Sequence, residues 1–285
     1  MKALREEGYP IDAVQNKGYC LSPETDILSV QGIRKYLKFP VLSLEFFPEV
    51  SSTNSLLRDR ASAGAPEGTV IIAGAQTAGR GRLARKFYSP PDTGIYMSLL
   101  LRPENLTADN AILLPAMAAV AACETISELS GREAGIKWVN DVFLDGKKVC
   151  GILTEASMGM ESHTMEYVVL GVGINAYAPP EGFPDDLSGI AGAVFSERRQ
   201  DGKNALAAGF LNRFMETYRT DQAGTYVQKY RGLNFAIGKE ILVSSAGSER
   251  KAAALDVDDR CRLKVRYEDG SEALLSYGEI STRIL

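Results

Sequence analysis

The stretch Gln76 to Pro90, QTAGRGRLARKFYSP, decides how the rest of this chain is read. It follows a short apolar run, Val70 to Ala73, and gathers Arg80, Arg82, Arg85 and Lys86 with no acid among them. Gly79 and Gly81 allow backbone angles closed to other residues and let amide N–H groups come close to an anion. Arginine adds a planar, permanently charged fork for phosphate oxygens. A strand running into such a loop predicts a site that wraps a phosphate.

The cationic character is confined to that loop. The 285 residues carry a formal charge of −4, which excludes a basic coat for nucleic acid or an anionic membrane. An apolar content of 45% supplies a full core, and the length suits one large domain with a small one. The longest apolar stretch, Ala111 to Cys123, contains Pro115. It falls short of the roughly 20 residues that cross a bilayer, so no membrane partner is expected. MKALREEGYP has no apolar signal core, and Cys20, Cys123, Cys150 and Cys261 lack metal-ligand or disulfide-framework spacing. A reduced, cytoplasmic protein is expected. There is no GxxxxGK[ST] loop, and the single histidine, His163, lies far from every polar cluster, which leaves no His-based nucleophile triad.

Residues 1–23 suggest a helix end stopped at Gly8, then two short extended pieces turning at Asn16 to Gly18. Residues 24–39 read as a linker. From 40 to 235 strands mix with well-separated helices, expected at Thr53 to Ala63, Asp109 to Leu129 and Asn204 to Tyr218. The runs Ile95 to Leu101, Val149 to Leu153 and Tyr167 to Val172 are rich in branched and aromatic residues and suit a mixed sheet. The fold class is therefore α+β or α/β. From 236 to 285 short strand-like pieces follow one another, with Asp269-Gly270 as a hairpin turn, and predict a small β-barrel.

Four further clusters accompany the basic loop. Ser51-Ser52-Thr53-Asn54 opens a helix, where hydroxyls and free N–H groups can meet a polar ligand. Lys137-Trp138-Val139-Asn140-Asp141 puts a cation, an amide and a carboxylate at a strand end. Lys147 to Leu153, KKVCGIL, sets a lysine beside an apolar strand whose glycine permits close approach, and Gly171-Val172-Gly173-Ile174-Asn175 ends another strand. Together they describe an apolar slot rimmed by phosphate-binding cations.

The series SSTN, QTAGRGRLARKFYSP, KWVND, KKVCGILTE, GVGIN and a short β tail resembles the biotin protein ligases of the biotin operon repressor type, over nearly the whole chain. The resemblance implies a catalytic domain of the biotin/lipoate ligase type at 40–235 and an SH3-like β-barrel at 236–285. It implies activation of biotin by ATP to biotinyl-5'-adenylate, then transfer to one lysine of a biotin carboxyl carrier protein. By motif match, Ser52, Thr53, Asn54 and Gln76 would hold the ureido end of biotin. Arg80, Gly81 and Arg82 would close over its carboxylate and the phosphates, and Gly151, Leu153, Gly171 and Gly173 would shape the slot. Lys148 would be the central catalytic cation, assisted by Arg80, Arg82 and Lys137. Arg85, Lys86, Phe87, Lys137, Asn140, Asp141 and Asn175 would form the nucleotide side, with Mg²⁺ arriving with ATP rather than held by a protein metal cluster.

Three positions depart from the family pattern. Val139 stands where the family has proline, Phe87 where it often has tryptophan, and Cys150 where it has a smaller residue. The loop at 85–88 and the segment Tyr177 to Gly192 are expected to order over the nucleotide. KALREEGYPIDAVQNKGYCL resembles the end of a recognition helix and the wing of a winged helix-turn-helix, a remnant expected not to bind an operator. A homodimer is a further expectation from the family. A lipoate-type ligase and a biotin-responsive repressor are the alternatives.

Overall fold

The computed structural model describes residues 11–14, 18–21, 25–103, 113–158, 165–220, 224–245, 248–276 and 281–284. Gly8, His163 and the expected helix start at Asp109 lie outside them. Seven strands form the central sheet: β3 (Ser43–Phe47), β4 (Thr69–Ala73), β5 (Gly94–Leu101), β6 (Ala134–Lys137), β7 (Asp141–Leu144), β8 (Lys147–Met158) and β9 (Met165–Asn175). Their order is β3-β4-β5-β9-β8-β7-β6. The sheet is mixed because β3 and β4 run parallel through an intervening helix, α2 (Thr53–Ser62), whereas the other pairs are antiparallel.

Side chains alternate along each strand, so the two faces take different coverings. Val70, Ile72, Met97, Leu99, Val168 and Leu170 join one core with the helices α3 (Leu113–Ser130), α5 (Gly202–Thr220) and α6 (Thr225–Leu233). Ile71, Leu100 and Val169 face the other way and pack with Leu57 and Ala61 of α2. Because α2 packs against β4, β5 and one part of β9, the rest of that face over β9 and β8 is left to the loop after β4, whose Phe87 lies on it. By length and composition α3 could cross a bilayer, yet its apolar side chains are buried against the sheet and its neighbour helices. Pro115 sits in its first turn, where a missing N–H costs little.

Helix positions agree with the sequence reading to within a turn, and the short α4 (Asp185–Ser188) and α6 are additions to it. Residues 24–39, read as a linker, carry the short helix α1 (Val30–Arg34), whose Ile33 is fully buried with Leu28 in the main core. Before it, β1 (Ile11–Val14) and β2 (Gly18–Leu21) pair as an antiparallel hairpin. After α6, the strands β10 (Glu240–Ser245), β11 (Ser248–Val257), β12 (Leu263–Tyr267), β13 (Glu272–Leu275) and β14 (Ser281–Ile284) form a second antiparallel sheet in the order β13-β12-β11-β10-β14. This sheet is keyed to the central one. The Trp138 indole donates to the Cys261 carbonyl at 3.0 Å, and the Thr282 hydroxyl donates to the Trp138 carbonyl at 3.2 Å.

A polar knot fixes the ends of two motifs against α5. Asp26 accepts from the Lys203 backbone N–H at 2.9 Å and from the Tyr177 hydroxyl at 2.5 Å. Asp92, just after the basic loop, pairs with Lys203 and Arg198, each at 2.5 Å. Burial alone would raise the Asp92 pKa, but these charge-assisted bonds outweigh it and hold the carboxyl below its ordinary value. A depressed carboxylate contributes stability above its unfolded pKa and loses it as pH falls through the folded one. Asp92→Asn leaves a buried Lys203 ammonium without its charge partner, and solvent reaches the Asp92 side. It is predicted to cost about 1–2 kcal/mol at pH 7. Urea unfolding from pH 7 down to pH 3 should show that difference narrowing in acid; a constant gap would reject the assignment.

Candidate active site

The register across β5, β9, β8, β7 and β6 lines up Tyr96, Gly173, Gly151, Asp141 and Lys137 in one row. A second row places Ser98, Gly171 and Leu153 together, and a third Leu100, Val169 and Glu155. All lie on the face that α2 partly covers, so three separate motifs are brought onto one floor. Lys148 reaches that floor through an irregularity. Alternation from Gly151 would point it to the helix side, but the β7–β8 register shifts between Val142 and Phe143. The bulge leaves Val149 and Cys150 buried in the helix-side core and returns Lys148 to the open face. There its ammonium pairs with Asp141 at 2.6 Å. Burial pushes the Cys150 thiol up, so it stays protonated.

At the α2 end the floor meets a buried polar pocket. Ser52 caps α2, and Ser52, Thr53 and Asn54 are each less than 5% exposed. The Thr53 N–H donates to Gln76 Oε1 at 2.9 Å, and Gln76 Nε2 donates to the Ser89 hydroxyl at 3.0 Å. Asn54 lies over Gly171 so closely that a Cβ there would fall 2.2 Å from its Oδ1. Ser98 donates to Asn54 Oδ1 at 2.6 Å. Burial pushes the Tyr96 phenol up to about 12, which keeps it a neutral donor to the Pro90 carbonyl.

The basic loop is a closed hairpin. Phe87 N–H donates to the Gly79 carbonyl at 2.9 Å and Gly81 N–H to the Arg85 carbonyl at 2.7 Å. Gly79 is needed for close approach, since a Cβ there would meet the Phe87 carbonyl at 2.4 Å. Gly81 takes ordinary extended angles; the left-handed conformation falls instead on Leu83 and Ala84 at the tip. Such angles are costly for residues with a Cβ. Arg80 reaches the Ser55 hydroxyl at 2.9 Å, and Arg82 reaches Asn140 Oδ1 at 3.3 Å, bridging the loop to the KWVND strand end. Asn140 in turn donates to the Ile152 carbonyl at 2.5 Å. Arg85 and Lys86 are exposed.

Phe87 lies on the glycine floor: ring atoms sit 2.4 Å from where a Cβ on Gly173 would be and 3.2 Å from one on Gly151. The cavity left among Ser52, Asn54, Gln76, Gly171 and Phe87 is about 40 Å³, enough for water only. A bicyclic ligand must therefore displace Phe87 or Asn54. A second cavity adjoins Lys148, Lys86 and Asn175 and is walled by Phe183, Leu187 and Ile190. Its wall is held in place by paired bonds of 2.8 Å between Lys148 and residues Ile190 and Gly192. Lys137 shares the row with Asp141, and its ammonium stands 5.8 Å from the ring centroid of Phe143, the cross-strand neighbour of Lys148. Val139 is buried, and its carbonyl accepts from Tyr230 at 2.8 Å.

Sequence reading missed Glu155 and Ser98, and it set the segment Tyr177 to Gly192 beside the nucleotide without singling out Phe183, Leu187 and Ile190. Glu155 was visible in KKVCGILTE, since it follows Gly151 and Leu153 at the two-residue period of a strand.

With this geometry in place the relatives are informative. The Biotin/lipoate A/B protein ligase family profile matches residues 46–175, which contain all five motifs. The bifunctional ligase/repressor BirA of Bacillus subtilis is 33% identical, with 97% of this chain and 86% of that protein aligned. The chain belongs to the biotin protein ligase family. The biotin--[acetyl-CoA-carboxylase] ligase of Mycobacterium tuberculosis is 30% identical over 83% of this family member and 88% of its own length. The Aquifex aeolicus biotin protein ligase solved in complex with biotin and ATP superposes with a TM-score of 0.70 at 25% identity, covering 85% of this chain and 99% of that one.

Gly171→Ala is predicted to push Asn54 out of its bed and to cost about 1–3 kcal/mol by overpacking. Chemical denaturation beside wild type measures it; an unchanged midpoint would show that Asn54 is not seated there.

Proposed function

We propose that the chain joins biotin to ATP, giving biotinyl-5'-adenylate and pyrophosphate, and then passes biotin to a lysine of a biotin carboxyl carrier protein. The observation that carries this reading is the convergence, on one sheet face, of a buried polar pocket, a glycine floor and the Lys148–Asp141 pair beneath an arginine hairpin. A biotin carboxylate oxygen would attack the α-phosphorus, and the bond to the bridging oxygen of pyrophosphate would break. The approach of two anions makes positioning and charge stabilisation the chief demands. Lys148, released from Asp141 by the incoming carboxylate, would sit between that carboxylate and the α-phosphate. Arg80 and Arg82 would close over the same charges. In the second step the lysine amine attacks the acyl carbon, AMP leaves with the bonding pair, and the amine loses its proton.

The nucleotide side would comprise Arg85, Lys86, Asn140, Asp141 and Asn175, with Phe183, Leu187 and Ile190 offering an apolar wall to the base. Among the described residues no cluster of three or more His, Cys, Asp and Glu is placed to hold a metal. The Asp141 oxygens fit a Mg²⁺ that arrives on the ATP phosphates and neutralises their charge. Lys137 is retained only as a longer-range cation of this side. A lipoate-type reading is less suited, because a dithiolane ring offers no hydrogen-bond donor or strong acceptor to match a pocket built from Thr53, Asn54 and Gln76. The hairpin Ile11–Leu21 is read as the wing of a winged helix, with operator binding outside the proposal. A cytoplasmic monomer–dimer equilibrium completes it.

Labelled biotin, ATP and Mg²⁺ with a purified carrier domain should give a labelled domain, while lipoate with a lipoyl domain should not; the reverse pattern would overturn the substrate. Lys148→Ala is predicted to slow biotin-dependent pyrophosphate release by about a hundredfold or more, and a near-normal rate would remove Lys148 from its role. Arg82→Gly is predicted to loosen adenylate retention, seen as diffuse labelling of bystander lysines.

A further inference from the structure

We infer that Glu155 is a positioning residue that sets the hydrogen-bond polarity of the biotin head-group pocket through the side-chain amide of Asn54. This rests on the biotin reading given above.

Glu155 sits on β8 two residues beyond Leu153, on the floor face and at the rim of the pocket. Its Oε2 accepts from Asn54 Nδ2 at 2.7 Å. An ionised carboxylate offers only acceptors, so it can face only the NH₂ end of an amide. Asn54 Oδ1 is thereby turned to Ser98, whose hydroxyl donates to it at 2.6 Å. The Ser98 oxygen also stands 2.8 Å from Thr53 Oγ1. With the Ser98 proton committed to Asn54, the Thr53 hydroxyl is left to donate to Gln76 Oε1 at 3.2 Å. The far end of this chain is fixed by backbone, since the Thr53 N–H also binds Gln76 Oε1 and the Ser89 hydroxyl donates to the Phe87 carbonyl. The polarity of this run is therefore set at its Asn54 end, where the NH₂ group makes a short bond to Glu155 and a longer one, 3.4 Å, to the Leu153 carbonyl.

The ureido ring of biotin presents one carbonyl acceptor and two N–H donors, a pattern that a pocket matches only if its own donors and acceptors are settled. Without Glu155 the Asn54 NH₂ end keeps only the long bond to the Leu153 carbonyl, so the amide can rotate by half a turn, Ser98 can redirect its proton to Thr53, and the pocket presents two patterns in exchange. Glu155 also meets Arg80 at 3.3 Å and Arg58 at 3.7 Å. Both arginines are partly exposed, at 38% and 46%, so these pairs are weak beside the bond to buried Asn54.

The test compares Glu155→Gln and Glu155→Ala in steady-state pyrophosphate release, with biotin and ATP varied separately. Gln keeps an oxygen that can accept from Asn54, whereas Ala keeps none. Glu155→Ala should raise the KM for biotin about tenfold or more, with kcat and the KM for ATP held within about threefold. Glu155→Gln, which keeps an acceptor but can also turn its NH₂ toward Asn54, should raise the biotin KM less than Glu155→Ala does, with kcat and the KM for ATP held within about threefold. In an Asn54→Ala background the Glu155→Ala change should add nothing to the biotin KM, because its route is already cut. An unchanged biotin KM in Glu155→Ala, equal damage by Gln and Ala, or full additivity with Asn54→Ala would each overturn the inference. Wild-type protein that releases no pyrophosphate with biotin would sink the biotin reading itself. The Asn54 side-chain amide resonances of the ligand-free protein then decide: they should move most in Glu155→Ala and less in Glu155→Gln, and the same signals in all three would refute the role.

Discussion

The bulge in β8 is the constraint on which the site depends. A regular antiparallel ladder between β7 and β8 would send Lys148 toward α3, into the core that holds Cys150 and Ile152. The register shift between Val142 and Phe143 places the ammonium over the glycine floor instead, 2.6 Å from Asp141. A lysine there needs a counter-charge when no anion is bound, and Asp141 supplies it from the neighbouring strand. The cation is thus held in place before any substrate arrives, which is the electrostatic arrangement an anion-on-anion reaction requires.

The same two-face logic explains how one sheet serves both stability and chemistry. On β5 and β9, side chains such as Leu99 and Leu170 anchor the sheet to its helices, while their neighbours Ser98 and Gly171 form the ligand floor. Substitutions one residue apart on these strands therefore fall on different functions. The glycines at 151, 171 and 173 serve by absence, since Phe87 and Asn54 fill the space their side chains would have taken.

Much of the fold and of the clustering was legible in the sequence, because charge and glycine content single out the loop at 76–90 without any tertiary information. Gln76 to Pro90 announced its chemistry, and the order of the five motifs carried the fold. What stayed hidden depends on register. Nothing in KKVCGILTE announces a bulge, so the side on which Lys148 falls could not be read from alternation. Ser98 sits in an apolar run, Ile95 to Leu101, and reads as strand filler until Gly171 is placed beside it. Glu155 ends a motif whose glycine and leucine drew the attention, and its partner lies 101 positions away in α2. Leu28 and Ile33 looked like linker because a short helix that packs on α5 has no periodicity long enough to see.

The attachment of the second sheet changes what the carboxyl-terminal residues mean for the site. Trp138 is gripped on its ring nitrogen by Cys261 and on its carbonyl by Thr282, from two different parts of that sheet. The next two residues are Val139 and Asn140, and Asn140 holds Arg82. The last strand of the chain and the arginine hairpin are therefore mechanically in series, with Trp138 as the link. Loosening of β14 would be felt as slack in the arginine hairpin, although some 200 residues of sequence separate Thr282 from Arg82.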